Sequence, residues 1–163
     1  MKRDFGTESV KEENLAYLLL RMNFEYIEDY TSIGSKDGIF FSTQVPTIAY
    51  YPPVNYADKK EQILKYIAKN HPWFYSKAVN FIDSRIKEDK LRSKMRFDFV
   101  LYRVKNNKIV KQVPIETFCD YFHNASVTTP ISDALKSSLY HTKMIKNDSS
   151  EYLMYAQRVF SEF

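Results

Sequence analysis

Glycine is scarce in this chain, with 3 in 163 residues. Neither G-x-x-x-x-G-K nor G-x-G-x-x-G occurs, so the glycine loops that cradle nucleotide phosphates with backbone amides are excluded. The one cysteine, Cys119, excludes an internal disulfide framework and a cysteine-rich zinc site. Its neighbours Phe118 and Phe122 suit a buried structural thiol better than a nucleophile. Histidine is equally sparse: His71 precedes Pro72 in a loop, and His123 and His141 are too far apart for a helical zinc motif. No G-x-S-x-G is present, which excludes a serine hydrolase of that type. No long apolar run and no signal-like N-terminal stretch is found, so a cytoplasmic protein without membrane contact is expected.

What the chain does have is apolar and aromatic mass, 44% and 16% of residues, enough for a sizeable core in one domain over 1–163. The net charge of +4 is modest but unevenly spread. From Tyr56 to Lys111 there are 15 Lys+Arg against 6 Asp+Glu, and the flanking parts are net acidic. The densest run is Lys87, Lys90, Arg92, Lys94 and Arg96, immediately before Asp98. A basic band beside carboxylates suits a polyanion such as nucleic acid, DNA or RNA. A solvated helix face with no partner fits the same run equally well.

Hydrophobic periodicity orders the elements. Val10, Leu15, Leu18, Leu19 and Met22 make a helical stripe, Ser9 and Glu12 have capping-box spacing, and Asn23 ends the helix. Phe24 to Ile33 reads as a strand, Ile39 to Tyr51 as a second one interrupted at Pro46, and Pro52-Pro53 as a stop. Ala57 to Asn70 and Phe74 to about Lys90 read as helices divided by Pro72. Trp73 and the 13 tyrosines are either core or a base-stacking surface, with core the commoner role.

The centre of the chain is a hairpin. Phe97, Phe99 and Leu101 alternate with Asp98, Val100 and Tyr102. Asn106-Asn107 is a turn signal, and Ile109 to Glu116 alternates again. After the hairpin come a short helix from Pro130 through about Met144 and a last one from Glu151 to Phe160. The expected class is α/β, with α+β the alternative: a mixed central sheet flanked by helices.

Two acids break the hairpin's apolar pattern. Asp98 stands within one strand and Glu116 near the end of its partner, and a strand carboxylate is costly to bury without a positive partner. Two carboxylates on adjacent strands can share a divalent cation, and Glu12 on the first helix is a third candidate. Phosphodiester hydrolysis uses such groups to hold Mg²⁺, which activates water and neutralises developing charge. Each acid also has a plainer reading: Glu12 as a capping residue, Asp98 paired with Arg96 or Arg103, Glu116 capping the next segment, since Thr117 and Asp120 are helix-start types.

RFDFVLY followed by VPIET, with SVKEENLAYLL before them, resembles the PD-(D/E)XK nuclease superfamily. That family has a helix bearing a glutamate, a strand with Asp, then a strand with Glu-x-Lys. The resemblance covers about a quarter of the chain. It implies a restriction-endonuclease-like core, with Asp98 and Glu116 as metal ligands, Glu12 as an accessory carboxylate, Mg²⁺ as cofactor and nucleic acid as partner. Two positions depart from the pattern: Phe118 stands at the motif lysine, and Phe97, not proline, precedes Asp98. Lys94, Lys111 and His123 are the candidate replacements for the lysine. The competing expectation is a non-enzymatic accessory or inhibitory protein that binds a protein or nucleic-acid partner.

Overall fold

In the computed structural model, residues 10–50, 57–70, 72–88, 95–118, 136–137 and 139–163 are described. Four helices and five strands are named in chain order. They are α1 (Val10–Arg21), β1 (Glu25–Tyr26), β2 (Gly38–Pro46), α2 (Lys60–Asn70), α3 (Tyr75–Glu88), β3 (Arg96–Lys105), β4 (Lys108–Phe118), β5 (Lys143–Lys146) and α4 (Tyr152–Ser161). The strands form one sheet in the order β1-β2-β3-β4-β5. β1 runs parallel to β2, β3 antiparallel to β4, and β4 parallel to β5. This is the α/β class, a mixed sheet flanked by helices.

The chain separates into two compact units. One comprises Met1–Val45, Phe97–Cys119 and Lys143–Phe163; the other comprises Pro46–Arg96 and Asp120–Thr142. The first unit has its core between α1, α4 and one face of the sheet. Leu15, Leu18 and Leu19 of α1 and Ala156 and Phe160 of α4 are buried against Phe41, Phe99, Leu101, Ile115 and Ile145. The i, i+3, i+4 spacing on α1 makes the apolar stripe, and period 2 on β3 presents Phe99 and Leu101 to it.

α1 ends as its sequence requires. Asn23 adopts φ 71°, Phe24 N–H donates to Leu19 O at 3.0 Å and Asn23 N–H to Leu20 O at 3.1 Å. Those bonds define a Schellman closure with asparagine in the left-handed position. The hairpin turn is just as local in origin. Asn106 and Asn107 take φ 54° and 59° between the registered pair Lys105 and Lys108, a two-residue turn whose twist matches the strands. One irregularity lies between Arg103 and Val104, where the partner strand carries Val110 as an extra residue.

The second unit contains α2 and α3, which bury Ile63, Ile67, Ala78 and Ile82 and are joined by the Lys60–Asp83 ion pair. Trp73 is 70% exposed, so it is not a core residue.

Two expected elements are corrected. The strand over Phe24 to Ile33 is confined to Glu25–Tyr26. Asp29 then accepts from Thr31 N–H at 3.0 Å and Thr31 Oγ1 at 2.6 Å, diverting the chain into a 3-10 turn at Tyr30–Ser32. The helix expected through Met144 stops earlier. His141 has φ 51°, Thr142 turns back with N–H and Oγ1 donating to Lys136 O, and Lys143 and Met144 belong to β5. Ser9 and Cys119 lie outside the described residues, as does His123.

Candidate functional site: a carboxylate cluster at the base of the hairpin

Regular pairing of β3 with β4 begins at Phe99–Ile115. One residue earlier, side chains take over the backbone bonds. Asp98 N–H donates to Glu116 Oε2 at 3.3 Å, and Thr117 N–H donates to Asp98 Oδ2 at 2.8 Å. The Thr117 hydroxyl adds a bond to the same Asp98 oxygen at 3.1 Å and one to Glu12 Oε1 at 3.4 Å. Glu12 of α1 and Asp98 of β3 therefore meet on Thr117, and Glu116 of β4 joins them through the Asp98 amide.

The sequence explains why each arrives. Glu12 lies one turn before Leu15 and Ala16, whose burial holds α1 against the sheet. Asp98 follows buried Phe97 and precedes buried Phe99, so its position on β3 is fixed from both sides. Glu116 and Thr117 are each 7% exposed and come directly after Ile115, which is fully buried.

Packing like charges together has a measurable consequence. Burial first, then the charge of Asp98 and a hydrogen bond to it, then the charge of Glu116, raise the Glu12 carboxyl from 4.5 to about 7, against the lowering effect of Thr117. Glu12 thus takes up a proton as pH falls through about 7. Among the described residues, no group of three or more His, Cys, Asp or Glu side chains is gathered into a ready-made metal-binding set. The donors are all carboxylate oxygens, which suit a hard cation such as Mg²⁺, and a cation would relieve the repulsion among them.

The position of the motif lysine is filled by Phe118, which is half-buried. Lys111 is corrected as its replacement. It lies five residues along β4 from Glu116, about 17 Å at strand rise. Its Nζ donates to Phe163 O at 3.1 Å and sits 4.9 Å from the Phe163 ring centroid. Lys94 lies outside the described residues. A cation absent from the sequence-based candidates is placed better. Lys146 of β5 is the registered partner of Phe118, as Met144 is of Glu116. Registered residues in a parallel pair project to the same face, so Glu116, Phe118 and Lys146 share one. Lys146 Nζ stands 3.9 Å from Asp148 Oδ1, with both side chains partly exposed.

Of the basic run, Arg96 is exposed as the first residue of β3, and Lys87 belongs to the last turn of α3. Lys90 and Arg92 fall outside the described residues. Thr117, read from sequence as a helix-start residue, is instead a strand residue at the centre of the site. No helix among the described residues is long and apolar enough to cross a membrane. No family model, curated protein or solved structure matches this chain.

Proposed function

We propose that this protein acts on nucleic acid as a Mg²⁺-assisted phosphodiester hydrolase. The observation that carries the reading is one hydrogen-bonded cluster that joins Glu12 of α1 and Asp98 of β3 through Thr117, and Glu116 of β4 through the Asp98 amide. The order of those elements, a helix with a glutamate and then two paired strands with an aspartate and a glutamate, supports the PD-(D/E)XK resemblance. Asp98 and Glu116 would hold the cation, with Glu12 as the third carboxylate.

When bound, Mg²⁺ supplies Lewis-acid stabilisation of the phosphoryl oxygens and lowers the pKa of a coordinated water. The protein's own part is positional. Thr117 fixes one Asp98 oxygen with two donors, and the Asp98 amide fixes one oxygen of Glu116. Glu12, with a carboxyl that titrates near 7, is poised to accept or return a proton at neutral pH.

Phe118 favours a second reading, a nuclease-like fold that binds nucleic acid or a protein without cleaving. Thermal unfolding with Mg²⁺ or Mn²⁺, then incubation with labelled single- and double-stranded DNA and RNA, separates the two. The hydrolase reading expects metal-dependent stabilisation together with cleavage. Stabilisation without cleavage of any substrate selects the binding reading, and neither effect removes the carboxylate site from consideration.

A further inference from the structure

A groove of about 310 Å³ opens between the end of β5 and α4, lined by Lys146, Ser149, Glu151, Tyr152, Met154, Tyr155 and Arg158. Its β5 end is tied to β4, the strand that carries Glu116. Asn147 N–H donates to Phe118 O at 2.8 Å, and Lys146 is registered beside Phe118, two residues from Glu116.

The walls combine two surfaces of different character. Met154 is 58% exposed and Tyr155 49%, on a helix whose other side, Ala156 and Phe160, is buried core. Lys146 and Arg158 supply positive charge, with Glu151 as the acid among the lining residues. Tyr152 is held in place: its hydroxyl accepts from Asn14 Nδ2 at 3.2 Å, and Lys11 Nζ lies 5.7 Å from its ring centroid. Lys11 also donates to Asn147 O, tying α1 to the end of β5.

Size decides what such a groove accepts. Small-ligand sites run from about 300 to 1,000 Å³, so this one takes a single small organic unit. A stable protein partner requires about 800 Å² on each side, far more than two exposed apolar side chains offer. An aromatic ring next to cations is the combination that stacks a nucleobase and neutralises its phosphate. A ring can stack only on a base whose face is free, which a duplex does not present along its length.

We infer that this groove is a subsite for one unpaired nucleotide of the substrate strand, its base against Tyr155 and its phosphate between Lys146 and Arg158. The inference rests on the nucleic-acid reading above and narrows it to single-stranded or frayed substrates.

The test is fluorescence anisotropy in EDTA, where cleavage is suppressed, using a labelled single-stranded DNA and a duplex of the same length. The wild-type protein is expected to bind the single strand at least tenfold more tightly. Tyr155→Ala is expected to weaken single-strand binding roughly 5- to 150-fold, the range for loss of one stacked base, and Tyr155→Phe to retain it. Arg158→Ser is expected to lower the slope of log affinity against log salt by about 0.7. Equal binding of both forms, or Tyr155→Ala within twofold of wild type, overturns the subsite while leaving the nucleic-acid reading standing. Binding of neither form by the wild type overturns both.

Discussion

Asp98 and Thr117 are joined by two hydrogen bonds to a single oxygen. The Thr117 N–H and hydroxyl reach Asp98 Oδ2 at 2.8 and 3.1 Å. The amide bond resembles a ladder bond in which a side chain has replaced the backbone acceptor, and it comes where regular β3–β4 pairing gives way. The hydroxyl bond depends on threonine alone, so it can be removed without disturbing the strand. Thr117→Val, nearly isosteric, is expected to cost about 1 kcal/mol of stability, measured by chemical denaturation. Because the Thr117 hydroxyl lowers the Glu12 pKa, its loss should also move the Glu12 titration to higher pH.

Glu12 gives the fold a pH dependence of known sign. Its folded pKa, about 7, lies above its ordinary value of 4.5, so the folded state binds this proton more tightly than the unfolded state does. The stabilising contribution is complete below pH 4.5 and is lost as pH rises through 7. After allowance for solvent screening at a half-buried site, the loss is on the order of 1–2 kcal/mol. Glu12→Gln should flatten that segment of the stability–pH curve, since Gln keeps a neutral hydrogen-bonding group there. A curve with the same slope in both proteins would assign the proton elsewhere. The same variant should bind Mg²⁺ more weakly if Glu12 supports the cation. Unchanged metal affinity would leave it a structural residue alone.

Asp98→Asn retains an oxygen for the Thr117 N–H and removes the charge. The apo protein is therefore expected to unfold within about 1 kcal/mol of wild type, because deleting one of several repelling carboxylates relieves repulsion as well as breaking charge-assisted bonds. Stabilisation by Mg²⁺ or Mn²⁺ should disappear. A variant that responds to metal as the wild type does would show that Asp98 is not a ligand.

The elements read correctly from sequence are those whose determinants lie close together along the chain. The Asn106-Asn107 turn, the alternation through Phe97, Phe99 and Leu101, and the Asn23 helix end each depend on a few adjacent residues, and the structure has all three. The same holds for α4, whose spacing at Leu153, Ala156 and Phe160 is a plain helical stripe. The errors fell where a side chain redirects the backbone. Asp29 captures Thr31 and ends the expected strand after Tyr26, and Thr142 folds back onto Lys136 to free Lys143 and Met144 for β5. Glu12, Asp98 and Glu116 were visible as acids in apolar contexts. Thr117 and Lys146 were not, because a threonine in a strand is unremarkable and the Phe118–Lys146 register depends on a parallel crossover that no local pattern encodes.

The basic run is testable through the salt dependence of binding. Replacing Lys90, Arg92 and Lys94 with Ser is expected to lower the slope of log affinity against log salt by roughly 0.7–0.9 per lost phosphate contact. A salt series on DNA and RNA with wild type and triple variant gives the number directly. An unchanged slope would make the run a solvated surface and leave phosphate contact to residues nearer the carboxylates.

With Phe118 at the motif lysine's position, the proposed hydrolase needs its positive charge from another residue. Among the described cations, Lys146 is the one registered directly to Phe118, on the face that Glu116 shares. Its side chain is 50% exposed, which leaves it accessible to an arriving phosphate. Lys146→Met keeps the length of the side chain and removes the charge. Cleavage should fall by about 10²-fold or more, as when one preorganised transition-state donor is deleted, while stabilisation by Mg²⁺ stays at the wild-type level. Lys146→Arg should recover part of the rate, since it restores the charge with different geometry. Loss of both cleavage and metal response in Lys146→Met would indicate a damaged fold, which far-ultraviolet circular dichroism would reveal. Full cleavage by Lys146→Met would show that the charge comes from another residue, and Lys11, next to Glu12 in sequence, is the next to replace.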